Sequence, residues 1–474
     1  MSTGRRVGVN SIRNRIVNGP IVGTMVWLAW PVIVANLVNM SYNLIDAFWL
    51  GKLGKVAFGA PTVCWPLIML FYSVGMGYAM AGIALISQYT GAGDKRMAEK
   101  SAGQLISFLF LGALALSGIG YLSISQVLSL IGVPQNIYPL AISYARIIFL
   151  GMPIVFFVFA FNTIANAIGD TRTPTILNVF SAVANIVLDP IMIFGLLGFP
   201  ALGVAGAAIA TVISRSIVSI VGGYFLFKGF KGIRISLADL KIEKWWLRRV
   251  FSIGTPLSIQ HSFNALGFTV MMSIVSRFGP AVIAAYGVVV RIVDIMQAVI
   301  LGLNRATSIM VGQNIGAEKY GRAMSIAKTS VTFTSGFLAL GSLLLFVFSS
   351  QAISFFVNEH DVVVEGSKLI HVISSSIPFF GIFSVAGAIA AGSGHTRFFA
   401  VLSMVRLWLL RIGLSIFLVY IMSIGSLGVW LAMTLSNIGA GTIALAWLIR
   451  GTWLRRVIEP SLKLTLKTTY SNSR

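Results

Sequence analysis

Charge is what this chain has least of. Only 10% of its 474 residues are Asp, Glu, Lys or Arg, against roughly 25% in a soluble domain. With 57% apolar residues, that balance excludes a water-soluble globular protein and places the chain in a membrane. Acids are scarcer still, 13 against 35 Lys and Arg, for a formal net charge of +22. The bases fall between apolar runs with no basic domain around them. That argues against nucleic acid as a partner and fits the positive-inside rule. One cysteine, Cys64, excludes an intramolecular disulfide framework and a four-cysteine metal site. No P-loop, HExxH or nucleophile elbow is present, so an enzyme is not indicated and no cofactor is expected. The segment MSTGRRVGVNSIRNRIVNG is polar, basic and without a convincing cleavage site, so no removable signal peptide is expected.

What is there is a series of long apolar runs. Those able to cross about 30 Å of hydrocarbon fall near 23–49, 57–89, 102–127, 137–161, 173–197 and 200–227. A second set lies near 250–275, 281–308, 326–350, 362–390, 398–422 and 427–449. Twelve transmembrane helices put both ends of the chain on one side. The loops on that side hold Arg5, Arg6, Arg13, Arg15, Lys95, Arg96, Lys100, Arg172, Lys319, Arg322, Lys328 and Arg397, with the linker and the tail. The alternate loops hold Lys52, Lys55, Arg277 and Lys368. Both termini are therefore expected in the cytoplasm, with the protein in the inner or plasma membrane.

The chain divides into an N-terminal six-helix lobe (1–227), a linker (228–249), a C-terminal six-helix lobe (250–450) and a tail (451–474). The linker ends in Lys244-Trp245-Trp246-Leu247-Arg248-Arg249, which reads equally as an interfacial amphipathic helix or as a basic connector.

At one constant offset of 225 the halves match. Pro31 falls on Pro256, Gly54 on Gly279, Gln88 on Gln313 and Pro153 on Pro378. The GDTR of 169–172 falls on the GHTR of 394–397, and Gly203-Val204 on Gly428-Val429. Six sites in one ungapped register mark a duplication. Six helices per copy make it a parallel repeat, whose members commonly rock one half against the other around a central cavity. No filter-like loop or acidic ring points to a channel.

Of the 13 acids, only Asp46, Asp189 and Asp294 lie inside the expected spans, apart from Glu365 at the edge of 362–390 beside Glu359 and Asp361. Such residues are costly and usually functional. Asp46 and Asp189 each come late in a helix that starts inside, so at about 1.5 Å per residue they reach one depth in the outer half of the membrane. Asn185 stands one turn before Asp189 on the same face, and Thr211 reaches the outer half on the next helix. Two carboxylates, a carboxamide and a hydroxyl must be neutralised in a dry bundle. Protons can do it, because burial and a neighbouring like charge favour the protonated form. Sodium can do it too, since oxygen ligands suit a hard cation. Either ion changes the charge of the site and so can bias two conformations. The bland alternative is that these groups serve as interhelical glue.

The segment Asn43-xx-Asp46 with GKLG after it, GDTRTP at 169–174, ANIVLDP at 184–190, and the paired SQYTGAGD and GQNIGAEK together resemble the multidrug and toxic compound extrusion (MATE) family. Within it the chain looks like the DinF-like prokaryotic branch. The other branches carry a glutamate early in helix seven, where this chain has Gln260 and His261 in TPLSIQHSF. The resemblance implies an all-α integral membrane protein of two six-helix bundles. It implies a cation site at Asp46, Asn185, Asp189 and Thr211, holding H+ or Na+, with Tyr144 and Asn162 near it. It also links bending at Pro31 in helix one to the state of that site, although tolerated prolines are common in membrane helices. At the repeat offset Asp46, Asn185 and Asp189 become Met271, Leu410 and Leu414, so one lobe alone keeps the site.

In the second lobe, Arg291 and Asp294 are spaced to pair, and Arg406 and Arg411 read as a packing network with them or as charges facing the cavity. His261 reads as a packing residue or as a group that titrates near neutral pH. The expected activity is secondary efflux of small amphipathic, cationic or aromatic drug-like compounds in exchange for H+ or Na+. The expected partners are those compounds and membrane lipids, and the expected state is a monomer. The rival is a flippase for a lipid-linked precursor or another amphipathic lipid, which a cavity lined by Arg291, Arg305, Arg406 and Arg411 would favour because its head group is anionic.

Overall fold

A computed structural model of the chain describes residues 9–458, so Arg5, Arg6 and the tail from 459 lie outside the described part. A short helix α1 (Val9–Asn18) precedes the first lobe. That lobe contains α2 (Ile21–Lys52), α3 (Lys55–Ala92), α4 (Lys95–Leu130), α5 (Tyr138–Leu150), α6 (Met152–Ala167), α7 (Arg172–Phe194) and α8 (Val204–Lys228). The second contains α9 (Lys244–Val275), α10 (Pro280–Gly316), α11 (Tyr320–Val347), the short α12 (Ser349–Ser354), α13 (His360–Ser374), α14 (Ile377–Ser393), α15 (Thr396–Ile421) and α16 (Ser426–Arg450).

Nine of these helices are single apolar spans among the described residues, and two bent pairs, α5 with α6 and α13 with α14, add two more. The helix α9, whose first turns carry Lys244, Arg248 and Arg249, completes the twelve. The spans expected as single helices near 137–161 and 362–390 are thus broken, by bends of 46° and 59°. The cause sits at the breaks. Pro153 and Pro378 occupy the first turns of α6 and α14, where a missing N–H is harmless at a helix start but interrupts a helix running through. These are the prolines that the repeat places in register.

The linker is clasped to the start of α4. Its Ser236 donates through backbone N–H and hydroxyl to Asp239 Oδ2 at 2.9 and 2.6 Å. Arg96 of α4 reaches Asp239 Oδ1 at 2.6 Å, and Lys100 reaches Glu243 at 2.8 Å. The interfacial-helix reading therefore fails: Trp246 is fully buried and belongs, with Val250 and Ile253, to the core of the first lobe. The swap is reciprocal. Met25, Leu28 and Ala29 of α2 belong to the core of the second lobe, while Leu50 at its far end belongs to the first.

Burial opposes the charge on Asp239, but the Ser236 bonds and Arg96 outweigh it and hold its pKa below the ordinary value of 3.8. A depressed carboxyl pKa stabilises the fold above the unfolded value, and that stabilisation is lost as pH falls through the folded one. Asp239→Asn should therefore melt below wild type in detergent at pH 7, with the gap closing below about pH 4. Equal melting at both pH values would mean that the clasp contributes nothing.

The lobes are sealed at the end that carries α1 and the last described residues. A Cβ on Gly91 would stand 1.9 Å from the Gln313 carbonyl oxygen, and one on Gly316 2.0 Å from that of Gln88. Only glycine permits backbones so close. Gln88 Nε2 donates to Ser393 O at 3.0 Å, and Gln313 Nε2 to Ala167 O at 2.9 Å. Arg13 of α1 donates to Gly91 O from Nε at 3.0 Å and Nη2 at 2.6 Å, and Asn314 donates to Ile16 O at 3.3 Å. From the other terminus Val457 N–H donates to Gln88 Oε1 at 3.0 Å, and Arg456 pairs with Glu318 at 2.6 Å.

Candidate functional site

Three helices of the first lobe bring the expected acids together. Asp46 comes from α2 and Asp189 from α7, which pack side by side, and α8 packs against α7 on the other flank. Asp189 is fully buried, Asn185 is 1% exposed, and Asp46 and Thr211 are half-buried. The two carboxyl groups lie within hydrogen-bonding reach of each other. With its amide turned to suit both neighbours, Asn185 donates from Nδ2 to Asp189 Oδ2 at 2.9 Å. Its Oδ1 then accepts from the Thr211 backbone N–H at 3.1 Å. Asp46 Oδ1 is buried and has no donor among the described residues. A buried carboxylate oxygen facing a second carboxyl calls for one positive charge between them.

Tyr42, which the sequence reading missed, closes the site. It lies one turn before Asp46 on the same face of α2, is 9% exposed, and its hydroxyl is 3.3 Å from Thr211 Oγ1. Arg215 was missed as well. Standing one turn past Thr211 on α8, it donates to Asn178 Oδ1 and Asn39 Oδ1, both at 3.5 Å, with its guanidinium 5.9 Å from the centre of the Tyr42 ring. Asn162 is joined to Asn178 at 3.0 Å, so it serves this arginine branch and not the carboxyl pair. Tyr144 is buried in the lobe core and makes no hydrogen bond to either acid. Asn43, quoted with Asp46 as part of one motif, is exposed.

In the second lobe the expected Arg291–Asp294 pair does not form. No ion pair among the described residues joins them, and both are exposed on α10. Gln260 donates to Ser403 Oγ at 3.2 Å, whereas His261 makes no hydrogen bond within the described chain. Arg406 and Arg411 are 6% and 7% exposed and share Asn437 Oδ1, at 3.2 and 2.8 Å. No acid accompanies them, so the four-residue network expected with Arg291 and Asp294 is reduced to these two arginines and neutral partners.

The MatE family profile matches residues 31–191 and 256–417, two stretches whose starts are separated by the offset of the repeat. The chain belongs to the MatE family. Among relatives of this MATE protein, the probable multidrug resistance protein YoeA of Bacillus subtilis is 30% identical over 404 residues, covering 84% of this chain and 87% of that one. A FAD transporter of Shewanella oneidensis is 25% identical over 456 residues, covering 96% and 99%. A MATE structure solved in the bent conformation superposes with a TM-score of 0.87 at 22% identity, covering 96% of this chain and 99% of that one. The twelve-helix, two-lobe MATE fold is therefore shared, and this MATE chain is a multi-pass membrane protein of a multidrug transporter family.

Proposed function

We propose that this MATE protein is a secondary antiporter that expels amphipathic compounds in exchange for H+ or Na+, with Asp46 and Asp189 holding the ion. The observation that carries this reading is the contact between the two carboxyls, one of them with an oxygen that no donor among the described residues reaches. Asn185 fixes Asp189, and Tyr42 with Thr211 closes the side of the site. The donors are all oxygen, which suits a proton or a hard monovalent cation.

Each ion has a distinct role for Asp46. A proton would bridge the two carboxyls directly. Sodium would take Asp46 and Asp189 oxygens together with the Thr211 hydroxyl. The loop charges support cytoplasmic termini, and with them the sealed end would face the cytoplasm. The relatives' names span multidrug resistance and FAD transport. No observation in the first lobe favours a lipid flippase.

The test uses proteoliposomes and a fluorescent amphipathic dye, with a pH gradient or a sodium gradient imposed separately. Dye movement driven by ΔpH alone identifies a proton site, and movement driven by sodium alone identifies a metal site. If a folded, reconstituted protein moves dye under neither gradient, the antiporter reading is wrong.

A further inference from the structure

The second lobe holds a cationic pair with nothing to neutralise it. Arg406 and Arg411 lie on α15 five residues apart, a spacing that an α-helix would turn to different faces. Here residues Val405–Gly413 form a π-helix. Its i→i+5 bonding stacks residues five apart, and such segments are frequent at functional sites. Both guanidiniums thereby reach one acceptor, Asn437 Oδ1, and Arg411 Nε adds Ser436 Oγ at 3.2 Å. Phe383 lies beneath Arg406, with its ring centre 4.6 Å from the guanidinium carbon.

Among the described residues no carboxylate pairs with either arginine. The ion pairs among the described residues all lie elsewhere, and the titratable group facing Arg411 is the Tyr286 phenol. Arg406 Nε is buried and has no acceptor among the described residues. Two buried like charges without a counter-charge are among the costlier arrangements a protein interior can hold. A bound anion would remove that cost. By the repeat offset Arg406 and Arg411 occupy the places of Ser181 and Ile186, on either side of Asn185. The second lobe thus sets a basic pair on the repeat counterpart of the helix that carries Asn185 and Asp189, at positions that are uncharged in the first lobe.

We infer that Arg406, Arg411 and Asn437 form a subsite for an oxyanion, the carboxylate or phosphate of an amphipathic substrate whose apolar body lies along the Phe383 side. This deepens the antiporter reading, on which it rests: the exported class carries a negative group, and the expected cationic drugs are not its main cargo. A guanidinium can take such a group through two parallel N–H bonds, which lysine cannot reproduce.

Equilibrium binding to the purified full-length protein tests this without any gradient. The probes are NBD-aminohexanoate against its primary amide, and short-chain NBD-phosphatidylglycerol against the phosphate-free NBD-diacylglycerol. Wild type should prefer the anionic member of one pair by about tenfold. The soluble pair responding identifies a free carboxylate ligand, and the lipid pair a phospholipid head group. Arg406→Gln and Arg411→Gln should each bring the preference close to one. Should either glutamine variant fail to fold, Arg406→Lys and Arg411→Lys decide, with a severalfold drop expected. No preference in wild type, or a preference untouched by the substitutions, overturns the inference. Since no gradient is used, that failure would leave coupling at Asp46 standing. Conversely, absence of ion-driven transport would leave the binding preference standing.

Discussion

Asp189→Asn, reconstituted at wild-type density, should still bind dye and lose gradient-driven accumulation by at least about tenfold. Asp46→Asn should do the same. The argument is one of differential charge. In the native site an arriving cation changes the net charge of a buried pair, and a ligand shifts a conformational equilibrium only through such a difference between states. Asparagine keeps the shape and can still bond to Asn185, but the remaining site has half its charge and no shared proton. The ion then binds with little preference for either conformation, and the gradient has no lever. Asn185→Ala is expected to be milder, since it frees Asp189 from its clamp but removes no charge. Accumulation at the wild-type level in both aspartate variants would move the ion site elsewhere.

Gly316→Val should have the second largest effect. The added Cβ would fall 2.0 Å from the Gln88 carbonyl oxygen, and the symmetric Gly91→Val would place one 1.9 Å from that of Gln313. Both obstacles are backbone, so neither can swing aside. Overpacking of this kind costs about 1–3 kcal/mol, which is roughly five- to 150-fold in the balance between a sealed and an open end. The variants should open at the end carrying the termini and cease to transport while their dye binding persists. Cys64 is buried, with its thiol donating to Ala141 O at 3.3 Å, so a cysteine placed on the lining near Gln88 would report alone. Faster maleimide labelling in Gly316→Val than in the glycine parent is the expected outcome. Equal labelling with full transport would show that this contact is not the seal.

The fold was legible because long apolar runs and a single repeat offset are strong signals, and Pro153 and Pro378 already stood in register. The breaks were not. A hydropathy run averages across Gly151-Met152-Pro153, and nothing in composition separates a kinked span from a straight one. Asp46 and Asp189 stood out because a charge in an apolar background has few structural excuses. Tyr42 did not, since a tyrosine near a helix end reads equally as a membrane-interface anchor. Trp246 misled in the opposite direction: beside Arg248 and Arg249 it looks interfacial, yet it fills the core of the first lobe. Arg291 and Asp294 have helical spacing for a pair, but spacing fixes only where side chains begin. The pairing of Arg406 with Arg411 was hidden for a related reason, because only π geometry aligns residues five apart.

The reciprocal exchange of first turns has a consequence for synthesis. When a ribosome has released α8, the first lobe still lacks Trp246, Val250 and Ile253, and Met25 and Leu28 join a cluster whose other members, apart from Ile12, Ile16 and Ala29, lie in the second lobe. Neither half can therefore finish its core during translation before the other half is made. A chain cut within residues 229–243 should mature only when both fragments are produced together in one membrane, and each fragment expressed by itself should be cleared by quality-control proteases.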